Sequence, residues 1–143
     1  MIDHLAIAST TVAADPGRVW AALTQPELVA RWMLGARVAS DWNVGSRITW
    51  SGEYEGRPFE DRGTILAVAP ASMLRFTHFS PLGGRQDIPE NYHTVTWTLE
   101  ADGDATLVRL SQDNNETEDA AAHSAKNWQS MLDALREVVE TAG

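Results

Sequence analysis

The chain has 143 residues, 43% of them hydrophobic and 22% charged, which is the composition of one globular domain large enough to bury a core. Its formal net charge of -9 disfavours nucleic acid and anionic membranes as partners, because both are negatively charged. The absence of cysteine excludes disulfides, thiolate catalysis and cysteine-bound zinc.

The first part of the chain predicts one strand followed by two short helices. Residues 5–13 are apolar, small or β-branched, a composition that favours a strand. Asp15 and Pro16 then supply an N-cap and a first helical position. Pro26 begins a second helix, and Gly35 ends it. Neither helix is long enough to be stable alone, so both must pack on a larger element.

Beyond Gly35, apolar residues recur at every second position, which is typical of strands with one buried face. Turn residues separate neighbouring strands, as at Asp102-Gly103. With the first strand included, the pattern predicts an antiparallel sheet of about six to seven strands. The strands after Gly35 are predicted at residues 37–40, 46–50, 62–69, 73–79, 92–100 and 106–110.

An amphipathic helix closes the chain. We predict that it begins near Asn115, an N-cap residue with Glu118 three residues later, and runs to about Thr141. Because its apolar stripe must be buried, we expect this helix to cover the apolar face of a curved sheet. The order of elements predicts an α+β domain in which a cavity can open between sheet and helix. The stripe consists of Trp128, Met131, Leu132, Leu135, Val138 and Val139.

Five strings, taken in order, carry a resemblance to a known family. They are VWAALTQPELVARWM, GSRITW, RGTILAVAPASMLRFTHF, VTWTLEADGDATLVRLSQ and NWQSMLDALREVV. Between Ile7 and about Glu140 the chain resembles the bacterial domains that are homologous to the activator of heat-shock-protein-90 ATPase. These belong to the START-related (SRPBCC) helix-grip superfamily, which also contains polyketide cyclases and plant allergen-like hormone binders. The resemblance implies a helix-grip fold with a pocket, and it implies no universal catalytic residue.

The predicted ligand-binding site is the space between the sheet and the long helix. Wide tryptophan surfaces suit the wall of such a site, but they equally suit a core that needs bulk. A packed core is therefore the alternative interpretation of the same residues. The sheet would contribute Ile48, Trp50, Phe76, Val95, Trp97, Val108 and Leu110, and the helix would contribute Trp128, Met131, Leu132 and Leu135.

Three polar side chains, those of His78, Tyr92 and His93, are predicted to orient the ligand. A hairpin that pairs Phe79 with Tyr92 would place the two imidazoles opposite each other on neighbouring strands. Such a pair can hold a ligand carbonyl, share a proton or bind a metal, although no third metal ligand is evident. The alternative is a structural role in which each ring is hydrogen-bonded to its surroundings.

An acidic cluster of Glu53, Glu55, Glu60 and Asp61 lies between two predicted strands. Paired carboxylates can perform acid–base chemistry when one of them is desolvated. Arginines lie among these residues, however, and we interpret the segment as a solvated hairpin tip with mutually paired charges.

We therefore predict a single domain over residues 1–143 that binds an apolar or aromatic small molecule. No catalytic residue, metal ligand or cofactor is assigned, and whether the chain is an enzyme stays open. One alternative is a chaperone-cofactor-like interaction domain, which needs an exposed apolar patch. Another is a cyclase- or aromatase-like enzyme that uses the cavity histidines. We expect a cytoplasmic protein without nucleic-acid or membrane partners, and a homodimer stays open.

Overall fold

An open antiparallel sheet of seven strands and three α-helices make up the fold in the computed structural model, which describes residues 4–81 and 84–141. This is the α+β architecture that the sequence predicts, with two short helices after the first strand and a long helix at the end. The strands are β1 (His4–Val12), β2 (Arg37–Ser40), β3 (Arg47–Tyr54), β4 (Arg57–Ala69), β5 (Met73–His78), β6 (His93–Asp102) and β7 (Ala105–Asn115). The helices are α1 (Pro16–Thr24), α2 (Pro26–Trp32) and α3 (Glu118–Thr141), and a 3-10 turn at Pro89–Asn91 precedes β6.

The strand order is β1-β7-β6-β5-β4-β3-β2, so the strands from β2 to β7 form a meander. β1 pairs with β7, with Ala8 opposite Leu110, and it occupies one edge of the sheet. The two short helices carry the chain from this edge to β2 at the other edge. They therefore lie across the sheet together with α3, and the three helices can enclose a space above its inner face.

The hydrophobic core lies between the inner face of the sheet and the helices. Leu74 and Phe76 on β5, and Trp97 on β6, are buried at alternating positions, as expected for strands with one covered face. On α3, Leu132 and Leu135 are fully buried in the same core. The apolar stripe of the last helix thus covers the sheet as the sequence predicts.

The first helix begins where the sequence predicts, and the last one begins later. Asp15 caps α1, because its Oδ1 accepts the Arg18 N–H at 2.9 Å. The prediction that Asn115 caps α3 is wrong, since β7 continues through Asn115. Thr117 caps α3 instead, and its Oγ1 accepts the Ala120 N–H at 3.0 Å. Asn115 is a good cap residue, but here its side chain is buried beneath the helix.

The hairpin between β3 and β4 is longer than the sequence predicts. The two strands pair from Arg47 opposite Thr64 to Tyr54 opposite Arg57. Glu55 and Gly56 form the connecting turn with φ values of 51° and 77°, the left-handed conformation of a primed two-residue turn. The acidic segment is therefore mostly strand, and the interpretation of Asp61 as part of a solvated tip is wrong.

A side-chain hydrogen bond joins the end of α3 to the end of β1. The Ala13 N–H donates to Glu140 Oε2 at 2.8 Å, and the Arg136 Nε–H donates to the same oxygen at 3.2 Å. The backbone hydrogen bond from Ala13, followed by the charge of Arg136, lowers the pKa of Glu140 from its ordinary value of 4.5. This hydrogen bond connects the end of edge strand β1 to helix α3, which covers the sheet.

Glu140→Gln is expected to reduce stability at neutral pH and to have less effect in acid. A carboxyl whose pKa is lower in the folded state contributes stability above its unfolded pKa, and loses it as the pH falls through the folded value. Urea denaturation of the wild type and of Glu140→Gln between pH 7 and pH 3 measures the free energy of unfolding of each protein. The difference in free energy of unfolding should shrink below pH 4.5; a constant difference across this range would contradict the assignment.

Candidate functional site

A narrow cavity lies between the inner face of the sheet and the helices. Its volume is about 40 Å³. One water needs roughly 10–15 Å³ of such space, whereas drug-sized pockets measure roughly 300–1,000 Å³. The cavity as it stands therefore accommodates only a few heavy atoms. It is lined by Leu23, Val29, Trp32, Met33, Trp42, Ile48, Trp50, Leu74, Phe76, His78, Trp97 and Trp128.

Aromatic rings in edge contact form most of the cavity wall. Trp97 meets Trp32 and Trp128 edge to face, with ring centroids 5.8 Å and 6.0 Å apart. Trp50 and Phe76 lie 5.0 Å apart in a tilted arrangement. Each edge-to-face contact occupies the face of one ring of the pair and fixes the orientation of both rings.

Two of the indole N–H groups are held by the protein. Trp32 Nε1 donates to the Ala22 carbonyl at 2.7 Å, and Trp128 Nε1 donates to Gln112 Oε1. These bonds anchor one ring from α2 and one from α3. Both tryptophans are thereby fixed as wall elements rather than as donors to a ligand.

Among the described residues that line the cavity, His78 is the one with a titratable side chain. It lies at the end of β5, with its ring 5.2 Å from the ring of Trp50. Its Nε2 lies 3.0 Å from Asp61 Oδ2, and the two side chains are 27% and 18% exposed. The Asp61 position on β4, opposite Trp50 on β3, directs its carboxylate to this ring. The cavity thus has a single polar end, formed by an aspartate–histidine pair.

The carboxylate of Asp61 is only half satisfied. Its Oδ2 contacts His78, but its Oδ1 is buried without a hydrogen-bond partner among the described residues. A buried acceptor without a donor is unfavourable, so in native proteins such a group is bonded to water, an ion or a ligand, or has a functional role. This observation distinguishes Asp61 from the exposed carboxylates of the same hairpin.

His93 lies opposite His78 in the sheet, which confirms the predicted register. Its Nδ1, however, lies 2.8 Å from the Asp113 carbonyl, and the residue does not line the cavity. Tyr92 stacks on Phe79, with ring centroids 5.1 Å apart, and donates its hydroxyl to Asp87. Burial and then that hydrogen bond raise the pKa of Tyr92. The structure therefore brings only one of the three predicted polar groups to the cavity.

The predicted apolar wall divides into two groups. Trp50, Phe76, Trp97 and Trp128 line the cavity, as does Ile48. The other predicted wall residues pack in the core or, for Met131, partly against it, and do not line the cavity. This second group consists of Val95, Val108, Leu110, Met131, Leu132 and Leu135.

Part of the cavity wall was not predicted from the sequence. The two short helices and the loop after β2 contribute Leu23, Val29, Trp32, Met33 and Trp42. The apolar spacing in these helices did indicate that they pack on something, but not that they close a cavity. Leu74 on β5 was likewise missed as a lining residue.

Comparison with protein families identifies the chain. The model of the family "Activator of Hsp90 ATPase homolog 1-like protein" matches residues 13–140. The chain belongs to this family. A solved member, ChR145 from Cytophaga hutchinsonii, is 46% identical, with a TM-score of 0.84 over 96% of this chain and 94% of that one. The family assignment therefore rests on both sequence and fold.

More distant solved structures share the fold of this family. The Aha1 dimer from Colwellia psychrerythraea is 22% identical, with a TM-score of 0.74 over 98% of this chain and 97% of that one. CalU16 from Micromonospora echinospora is 20% identical, with a TM-score of 0.69 over 97% of this chain and 87% of that one. No curated protein matches the chain. These neighbours support the helix-grip fold and leave the ligand open.

The described residues form neither a metal-binding cluster nor a membrane-spanning helix. Within residues 4–81 and 84–141, no group of three or more histidine, aspartate or glutamate side chains is placed to hold a metal ion. In the same ranges, no helix is long and apolar enough to cross a membrane.

Proposed function

We propose that this domain binds an apolar or aromatic small molecule in the cavity between the sheet and its helices. The observation that carries the proposal is the cavity lining, in which eleven of the twelve residues are hydrophobic and six of these are tryptophan or phenylalanine. An enclosed aromatic wall with few polar groups is the usual character of small-molecule sites. We place Trp50, Phe76, His78, Trp97 and Trp128 among the contact residues.

Binding of anything larger than a few heavy atoms requires the cavity to widen. The residues best suited to move are Met33 and Trp42, which are only partly buried. Methionine is flexible and adapts to irregular space. Trp42 has a φ of 59°, and Leu34, the residue after Met33, has a φ of 55°, a conformation that is unfavourable for large side chains. We infer that the ligand enters between the end of α2 and the loop after β2.

A cavity-filling variant tests the proposal. Toluene at about ten times its dissociation constant is expected to raise the Tm of the wild type by about 2–5 °C. Met33→Trp should fill the space and abolish this shift. Met73→Trp is the matched control, because Met73 is also partly buried but does not line the cavity. Differential scanning calorimetry measures the toluene-induced change in Tm for the wild type, Met33→Trp and Met73→Trp. If Met33→Trp showed the same change as the wild type, toluene would be bound outside the cavity.

An interaction domain is the weaker candidate. The outer face of the central strands carries exposed Arg75, Thr98 and Arg109 rather than an apolar patch. Leu34 and Val44 are exposed in loops and Leu66 is exposed on β4, whereas Leu5 and Ile7, at 52% and 62%, lie on the edge strand β1. Homodimer formation stays a prediction, and these two residues are the ones we expect a second copy to cover. Cytoplasmic location likewise stays a prediction.

A further inference from the structure

We propose that the Asp61–His78 pair selects ligands that carry a neutral hydroxyl group, and that His78 Nδ1 accepts the hydrogen bond from this hydroxyl. The proposal rests on the ligand-binding function proposed above and names the chemical class of the ligand. Phenols and alcohols on an apolar frame belong to this class, whereas hydrocarbons and anions do not.

The contact with Asp61 determines which nitrogen of His78 carries the proton. A carboxylate can only accept, so the nitrogen that contacts it, Nε2, must be the donor. In the neutral imidazole the other nitrogen is then an acceptor. His78 Nδ1 has no hydrogen-bond partner among the described residues. The lining residue therefore presents an unused acceptor.

The nearest polar groups do not supply the missing donor. His93 is the cross-strand neighbour of His78, but its Nδ1 contacts the Asp113 carbonyl and must donate to it. The remaining nitrogen of a neutral His93 is consequently another acceptor. The indoles of Trp32 and Trp128 already donate within the protein. Trp50 is the ring nearest to His78, but no described residue, Trp50 included, donates to His78 Nδ1, so this donor is left to water or to a ligand.

This arrangement discriminates between ligands of similar shape. A hydrocarbon that enters the cavity displaces water from the imidazole and leaves its acceptor unpaired, which is unfavourable. A hydroxyl group restores the hydrogen bond. The Asp61 carboxylate disfavours an anion beside the ring, and the net charge of -9 acts in the same direction. A neutral hydroxylated ligand satisfies both conditions.

A pair of probes that differ only by a hydroxyl group tests the selection. Toluene and p-cresol are titrated into the wild type, His78→Phe and His93→Phe, and the ratio of their dissociation constants is compared. One hydrogen bond predicts that the preference for p-cresol falls about five- to tenfold in His78→Phe. His93→Phe is the control and should keep the wild-type ratio, because His93 does not line the cavity.

A measurement on the wild type does not depend on the variants folding. Nitrogen NMR of the histidine side chains should show His78 protonated at Nε2, and p-cresol should shift its Nδ1 signal in the direction of an accepted hydrogen bond. Asp61→Asn should mix the two tautomers, because an amide can donate as well as accept. This readout marks Asp61 as a positioning residue.

The outcomes separate the two proposals. If both probes bind, but the ratio is unchanged in His78→Phe or the Nδ1 signal does not respond to p-cresol, the selection is overturned and the binding function stands. If neither probe binds the wild type, the binding function itself is overturned, and the selection with it. If the preference for p-cresol over toluene is reduced in His78→Phe and p-cresol shifts the Nδ1 signal of the wild type, both the binding function and the selection are supported.

Discussion

Gly63→Ala is expected to destabilise the fold by about 3 kcal/mol or more, because its new methyl group has no space. A Cβ at this position would lie 1.6 Å from the Thr77 carbonyl oxygen and 2.6 Å from its carbon. Both atoms belong to the backbone of the neighbouring strand, so they cannot rotate away as a side chain can. Asp61 lies two residues before Gly63, and His78 directly follows Thr77, so this close approach lies beside the Asp61–His78 pair.

Gly52→Ala is the matched control on the adjacent strand. A Cβ there would meet the ring of Phe59 at 3.2 Å, and this ring can move by a few tenths of an ångström. We expect a loss below about 1 kcal/mol for this change. Urea denaturation followed by circular dichroism measures both variants. A Gly63→Ala protein as stable as Gly52→Ala would contradict the close packing of β4 on β5.

Trp97→Ala is expected to lower the free energy of unfolding by about 3–5 kcal/mol. Trp97 is 3% exposed and touches both Trp32 and Trp128, so its removal takes away the centre of the aromatic wall. The same change enlarges the cavity. We therefore expect naphthalene to raise the Tm of the variant by more than it raises that of the wild type.

Trp20→Ala separates the effect of the cavity from the general effect of losing a tryptophan. Trp20 is only partly buried on α1 and does not line the cavity. Its replacement should cost less stability and should leave the response to naphthalene unchanged. Differential scanning calorimetry with and without naphthalene measures both the loss of stability and the change in Tm that naphthalene causes. An equal response in the two variants would show that the added space is not where the ligand binds.

The order of elements could be predicted because each has a strong local signal. Asp15 and Pro16 mark the start of α1, and the alternation of Val95 and Trp97 marks β6 as a strand with one covered face. The stripe on α3 required burial, and only the sheet offers enough apolar surface. Alternation places His78 and His93 on the same face of the sheet, and a hairpin that pairs Phe79 with Tyr92 was predicted to place them opposite each other, as they are in the structure.

The polar end of the cavity could not be predicted, because it depends on a long hairpin whose sequence lacks a clear alternation of apolar and polar residues. The segment around Glu60 and Asp61 has no apolar alternation, so its charges suggested a solvated turn. It becomes a strand through pairing with β3 across a two-residue turn, and this pairing directs Asp61 to His78. The contribution of Met33 to the wall likewise depends on where α2 lies over the sheet, which is tertiary information.

The six tryptophans provide the most direct test of a ligand site in the cavity. Five of them, Trp32, Trp42, Trp50, Trp97 and Trp128, line the cavity, and Trp20 does not. Each indole N–H gives its own signal in a nitrogen–proton correlation spectrum, so toluene can be added and all six followed together. We predict saturable shifts for the lining tryptophans and an unchanged signal for Trp20. No saturable shifts, or a shift of Trp20 as large as the others, would contradict a ligand site in this cavity.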